Sequence, residues 1–155
     1  MPAARNINEL TKHLDTPLKN AMIVAQSKVY QCINSFIKEY YDEYNPDVYE
    51  RTYSFYNSLV KSDIKKTKNG YACEVYIDMD RTDYYAHSFK DVVNMINRGF
   101  HADTGMNNGD SYQTPVDIRG IRVWNESMDE IQKTNLILNT FKDYFKSNGF
   151  IVREL

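Results

Sequence analysis

The chain has 155 residues, 42% hydrophobic and 26% charged, with a net charge of −2 and a pI near 5.9. Such a length buries about two-thirds of its unfolded surface without disulfides or metals, so a single domain over residues 1–155 is expected. The charge argues against a sequence-independent nucleic-acid binder, which needs a basic face to displace counterions from phosphate.

No apolar run approaches the ~18 residues of a membrane span, and MPAARNINEL lacks the apolar stretch of a secretory signal. A protein made and kept in the cytoplasm, or in something assembled there, is expected. Ile7, Leu10 and Leu14 stand at helical spacing, as in a short first helix or helical turn leading into Pro17, where a kink or break is predicted. Thr16 then caps a second helix with Pro17 in its first position. Leu18, Met22, Ala25, Val29, Cys32 or Ile33, Phe36, Tyr40 and Tyr44 recur every three or four residues along it. About 27 residues at ~1.5 Å each give roughly 40 Å, more than a domain of this size needs for its own core. That surplus points to an assembly component.

Asn45-Pro46 ends the helix. Asp47 and Glu50 have the spacing of a capping box, and Tyr49, Tyr53 and Tyr56 would share one face of a short helix reaching Asn57. Six of the thirteen tyrosines lie between Tyr40 and Tyr56. Tyrosine joins a large apolar area to one polar tip, so the cluster reads equally as a protein interface or as a polar-edged core.

Asn69-Gly70 is the pair preferred in a two-residue type I′ hairpin. With those residues as the turn, strands at 59–67 and 72–80 set Val60 opposite Met79, Ile64 opposite Val75, Lys65 opposite Glu74 and Lys61 opposite Asp78. One face is then apolar, and the other carries paired charges at ~0.2–1 kcal/mol per pair. Further on, Ser88 and Asp91 cap a predicted helix over 89–98, with Phe89, Val92, Val93 and Ile96 as its stripe and Gly99 as its stop. Residues 99–120 hold four of the six glycines and read as a long loop, functional or disordered, and either flexible or ordered on assembly. Ile121, Val123 and Trp124 suggest a short strand or core anchor.

Ser127 with Glu130 predicts the cap of a last helix, which sets Met128, Ile131, Leu138, Phe141 and Phe145 on one face, flanked by Ile137 and Tyr144. Gly149 ends it, and 150–152 would add an edge strand. The expected architecture is α+β: a long N-terminal helix and a C-terminal helix packed on a small, mainly antiparallel sheet built on the 59–80 hairpin.

Chemistry finds little purchase. His13, His87 and His101 are far apart in sequence, with no metal-ligand spacing among them. Glu74, Asp78 and Asp80 share one strand face, as a metal-dependent hydrolase using Asp78, Asp80 and a loop histidine would want, but lysines stand opposite two of them in the predicted register. A salt-bridged solvent face explains them better. His101 and Asp103 have the residue types of a base and its orienter, with almost no specificity at that spacing. Cys32 and Cys73 fall at apolar positions and read as small buried hydrophobes. There is no nucleophile elbow, P-loop or dinucleotide fingerprint, so neither enzyme activity nor a cofactor or metal is expected. Lys65, Lys66 and Lys68 make a basic hairpin tip, most simply a solvated, aggregation-resistant edge.

INELTKHLDTPLKNAM, a long helix, and then YNPDVYERTYSFYNSLV leading into a strand resemble the small neck or tail-completion proteins of long-tailed bacteriophages. Pro46, Arg51, Thr52 and Ser58 stand at positions that match the family's turn before its first strand, and GFHADTG fits its later loop. Tyr53 stands where many members have glycine, which predicts a more helical turn here. The resemblance implies a non-enzymatic virion structural protein at the head-tail connection. It would form a homo-oligomeric ring and meet portal, adaptor or tail proteins, with no membrane and no sequence-specific nucleic acid, the ring leaving room for DNA to pass. Candidate contact residues are Tyr40, Tyr41, Tyr44, Tyr49, Arg51 and Tyr53 at the tyrosine-rich turn, and His101, Asp103, Met106 and Tyr112 on the loop. A small phage- or host-encoded binding or regulatory module is the alternative, and a metal-dependent hydrolase comes after it.

Overall fold

Asn6 opens the longest element of the chain. In the computed structural model, which describes residues 6–43, 53–81, 100–104, 113–117 and 123–153, Asn6 Oδ1 accepts the Glu9 N–H at 2.9 Å. The Asn6 carbonyl accepts from Leu10 N–H at 3.1 Å. An asparagine serving the third helical N–H is a helix cap, and it starts the helix ten residues earlier than Thr16 would. Helix α1 runs Ile7–Glu43, 37 residues, or roughly 55 Å at ~1.5 Å per residue. Of the kink or break expected at Pro17, the break does not occur: Pro17 lies inside α1. The helix gives up one backbone hydrogen bond there and carries on.

Contacts divide the chain into two compact units, one of Met1–Gln31, Val60–Tyr76 and Ile131–Leu155, the other of Cys32–Leu59 and Ile77–Glu130. In the first, Ala21 and Ala25 are the buried apolar residues of α1. Small side chains there leave room for Gln26, only 8% exposed, whose Nε2 donates to the Ser62 carbonyl at 2.8 Å and the Glu74 carbonyl at 3.0 Å. α1 is thereby tied to the backbone of the hairpin.

The hairpin departs from its predicted register. β2 (Lys65–Thr67) pairs antiparallel with β3 (Gly70–Ala72), and Lys65 faces Ala72, Lys66 faces Tyr71 and Thr67 faces Gly70. The turn is therefore Lys68-Asn69, and Gly70 opens the second strand with φ +143°, where a Cβ would stand 3.8 Å from Leu18. Nearer the base, β1 (Leu59–Lys61) pairs with β4 (Val75–Ile77). Ser62 N–H bonds the Glu74 carbonyl at 3.0 Å and Asp78 N–H bonds the Ser58 carbonyl at 2.7 Å, so residues 62–64 oppose only 73 and 74. This is a bulge, one extra residue on the first strand. It splits each predicted strand into two short pieces and cancels the expected Lys65–Glu74 and Lys61–Asp78 pairs. Lys66 instead meets Asp15 of α1 at 2.9 Å, and Lys61 Nζ lies 5.3 Å from the ring centre of Tyr30. Met79 falls beyond β4 in a 3₁₀ turn, Met79–Arg81, and is 57% exposed rather than paired with Val60.

The second unit has its own core of Ile33, Ile37 and Tyr40 from α1, with Phe55, Leu59 and Val123. Helix α2 is a single turn, Ser54–Asn57. The helix expected through Tyr53 cannot form, because Tyr53 is left-handed at φ 54°, ψ 17°. Ser58 is fully buried and its Oγ donates to the Phe55 carbonyl at 2.6 Å, closing that turn. Part of the predicted 99–120 loop is a hairpin: β5 (Phe100–Thr104) pairs antiparallel with β6 (Gln113–Asp117), His101 opposite Val116 and Asp103 opposite Thr114. The expected 89–98 helix lies outside the described residues, as do the Asp47–Glu50 capping box and Ile121.

The single C-terminal helix is two. α3 spans Val123–Lys133 and α4 Leu136–Ser147. Val123 and Trp124 begin a helix rather than end a strand, and Ser127, inside it, donates its hydroxyl to the Val123 carbonyl instead of capping. Asn135 breaks the run with a left-handed φ of 47° and accepts Asn139 N–H through its carbonyl at 2.9 Å. At the other end Gly149, at φ +81°, stops α4 as predicted. Its N–H bonds the Lys146 carbonyl and Phe150 N–H bonds the Phe145 carbonyl, both at 3.0 Å, while the Phe145 and Phe150 rings meet edge to face at 5.1 Å. This is a Schellman stop with its apolar contact. Residues 150–152 have no regular secondary structure and join no strand. The class is α+β and mostly helical, with two-stranded antiparallel pairs in place of one sheet.

Candidate protein interface

The acids of the hydrolase reading do local structural work. Asp78 Oδ2 lies 3.0 Å from Arg81 Nε, and its Oδ1 accepts Asp80 N–H at 3.1 Å, so one carboxylate closes the Met79–Arg81 turn. Among the described residues no three of His, Cys, Asp and Glu gather as a metal-ligand set. Cys32 and Cys73 are half-buried rather than buried, and unbridged. Burial raises both thiol pKa values, with Glu130 adding to the effect at Cys32 and Glu74 at Cys73. Both thiols stay protonated near neutrality, a poor state for a nucleophile. No described helix is long and apolar enough to cross a membrane.

The tyrosines do converge. At the end of α1, Tyr41 is the hub: its ring stacks on Tyr53 at 5.2 Å and 22°, and meets Tyr40 at 5.6 Å and Tyr56 at 5.9 Å edge to face. Each such pair contributes ~0.5–1.5 kcal/mol beyond area burial. The left-handed backbone at Tyr53 turns the chain back toward the helix end. The four do not share one environment. Tyr40 is 6% exposed and belongs to the core, whereas Tyr53 is 50% exposed. Of the candidate contact residues, Tyr40, Tyr41 and Tyr53 are thus brought together, with Tyr53 offering the surface. His101 and Asp103 are placed only as positions on β5. Tyr44, Tyr49, Arg51, Met106 and Tyr112 lie outside the described residues.

At the hairpin tip, Lys66 reaches both Asp15 carboxylate oxygens, at 2.9 and 3.0 Å. Hydrogen bonds from Lys66 and then Tyr71 hold the Asp15 pKa below its ordinary value. The tip is thus partly neutralised by α1 rather than uniformly basic.

One surface escaped sequence reasoning. Leu138, Phe141, Lys142, Phe145, Val152 and Arg153 line an open groove of about 450 Å³. The spacing predicts a core face for the apolar stripe of α4, yet Leu138 is 53% and Ile137 48% exposed, and Thr140 is the residue buried to 2%. Ile151, beside the groove, is 85% exposed. The available signal was width: LILNTFKDYF carries apolar residues around more of the helix than one core contact uses.

Fold and surfaces together define a small, mostly helical α+β protein that displays an aromatic surface in one unit and an apolar groove in the other. A family model described as YomN matches residues 6–147, and the chain belongs to this phage-associated family. No curated protein and no solved structure matches it.

Proposed function

We propose that the protein is a non-enzymatic structural component of a phage particle, placed at the head-tail connection as a neck or tail-completion subunit. The observation that carries this reading is the half-exposed Tyr53 stacked on Tyr41 at the end of an overlong helix, in a chain of a phage-associated family. Aromatic anchors held rigid by their neighbours bind a partner at low entropic cost, which suits assembly. Repeated contacts of one patch on a different patch close into a ring, with portal, adaptor or tail proteins as neighbours and DNA passing through the centre. The same composition and motifs favour no cofactor and no catalytic set.

Purified phage particles probed for this protein, together with co-sedimentation on portal or tail complexes, test the reading. Presence in particles and retention on those complexes is expected, with Tyr53→Ser weakening retention. Absence from particles combined with a stable one-to-one complex on a host enzyme would replace it with a regulatory module.

A further inference from the structure

We infer that the C-terminal groove receives the acidic, tyrosine-rich end of α1 from a second copy of this chain, making a head-to-tail contact. The inference rests on the reading that the protein works through contacts between copies, but not on where in a particle those contacts are used. The groove is lined by the apolar Leu138, Phe141, Phe145 and Val152 together with two cations, Lys142 and Arg153. Over residues 136–153 three basic residues, Lys142, Lys146 and Arg153, stand against one acid, Asp143. An occupant of that site should be aromatic or aliphatic and negatively charged.

The chain carries such a segment. Residues 39–50, EYYDEYNPDVYE, hold Glu39, Asp42, Glu43, Asp47 and Glu50 with no lysine or arginine, interleaved with four tyrosines. Within it, Glu39 and Asp42 are exposed, with Tyr41 half-buried beside them. The helix itself gives a second reason to expect a cationic neighbour. α1 has no basic residue in its last turn, although a helix C-terminus carries partial negative charge and disfavours acids there. A neighbouring copy's Arg153 and Lys146 would offset that repulsion, and Tyr41 and Tyr53 supply aromatic surface for the apolar lining. Groove and occupant are different surfaces, so the contact is heterologous and propagates from copy to copy.

Sedimentation velocity on the full-length protein over a concentration and salt series tests this. Two variants are used. The groove variant is Leu138→Asp with Arg153→Glu, at an exposed leucine and an exposed arginine. The helix-end variant is Glu39→Gln with Asp42→Asn, which relieves the dipole conflict and so spares the fold, and gives the altered helix end no charge to pair with the altered groove. Circular dichroism matching wild type confirms both folds. Wild type should self-associate, less so at high salt, and each variant alone should associate at least about tenfold more weakly, in line with loss of interfacial charge pairs. An equimolar mixture should form a one-to-one dimer and nothing larger, because only one intact groove and one intact helix end remain between the two.

A monomeric wild type at every concentration overturns the inference. So does association unaffected by either variant, loss with only one of them, or a mixture that stays monomeric. Wild-type protein that is monomeric yet found in particles would sink the inference and leave the proposed function standing. The expected oligomer from a protein absent from particles would do the reverse.

Discussion

The rings of Tyr41 and Tyr53 lie 5.2 Å apart and 22° from parallel, and the second of them sits on a left-handed backbone at φ 54°. A non-glycine residue in that region costs ~1–2 kcal/mol, while a ring pair returns ~0.5–1.5 kcal/mol. The position is therefore a near balance between backbone strain and stacking. Tyr53→Gly should leave stability within about 1 kcal/mol of wild type, since relief and loss offset each other. Tyr53→Val, β-branched and without a ring to stack, should lose both and cost about 2–3 kcal/mol. Urea unfolding of the two variants checks the pair, and equal losses would mean that the backbone strain plays no part.

Gln26 Nε2 donates to the Ser62 and Glu74 carbonyls at the bulge, the second of which also accepts from Ser62 N–H. Gln26→Ala removes both Nε2 bonds at a buried site and should cost about 1–3 kcal/mol. Gln26→Glu should cost more at neutral pH, because it aims a carboxylate at two carbonyl oxygens. Hydrogen exchange should localise the damage to β1–β4 rather than to α3 or α4. A uniform rise in exchange would mean that the tie stabilises the whole chain rather than the hairpin alone.

The helices and the hairpin were legible in the sequence because they rest on local periodicity and turn chemistry, as with Gly149, whose positive φ and stop position follow from one residue type. What failed was decided by contacts between distant residues. Pro17 argues for a break in isolation, but α1 runs through it. The Asn69-Gly70 pair argues for a turn, but the register sets Thr67 opposite Gly70 and the turn lies one residue earlier, at Lys68-Asn69. A bulge adds one residue to one strand only and leaves no mark in a two-residue repeat, so Lys65 and Glu74 could not be separated from sequence. Of the contact residues, Tyr40 and Tyr53 have the same chemistry and opposite burial. Composition alone cannot tell an interface tyrosine from a core one.

Asp15, Lys66 and Tyr71 form a pH-sensitive link between α1 and the hairpin. Asp15 has a lowered pKa, first from the Lys66 hydrogen bond and then from Tyr71, so it contributes stability above its ordinary carboxylate pKa and loses it as pH falls through the lowered value. Lys66 is raised, first by its bond to Asp15, so its contribution is full below the ordinary lysine pKa and disappears as pH rises through the raised one. Tyr71 is raised, by desolvation first and Asp15 second, and adds to the alkaline loss. Asp15→Asn should flatten the acid limb of the stability-pH profile by lowering its neutral end toward the acid end, a small loss because the pair is exposed, and should lower the Lys66 pKa. A profile identical to wild type below neutrality would show that the pair does not hold in solution.

Pro17 offers the sharpest test of whether α1 is one rigid element. Inside a helix, proline removes the bond to the carbonyl four residues earlier, here His13, and its ring crowds that carbonyl. Pro17→Ala should therefore raise stability by about 1–3 kcal/mol, read as a higher urea midpoint with an unchanged slope. The opposing consideration is position: Asp15, which holds Lys66, and Leu18, which lies against Gly70, stand on either side of the proline. If its distortion of the helix sets those two residues against the hairpin, Pro17→Ala will restore the backbone bond and weaken the Asp15–Lys66 pair. A double-mutant cycle with Asp15→Asn separates the outcomes. Additive effects mean that the proline is a simple defect in a straight helix, and a strong coupling means that it shapes the seat of the hairpin.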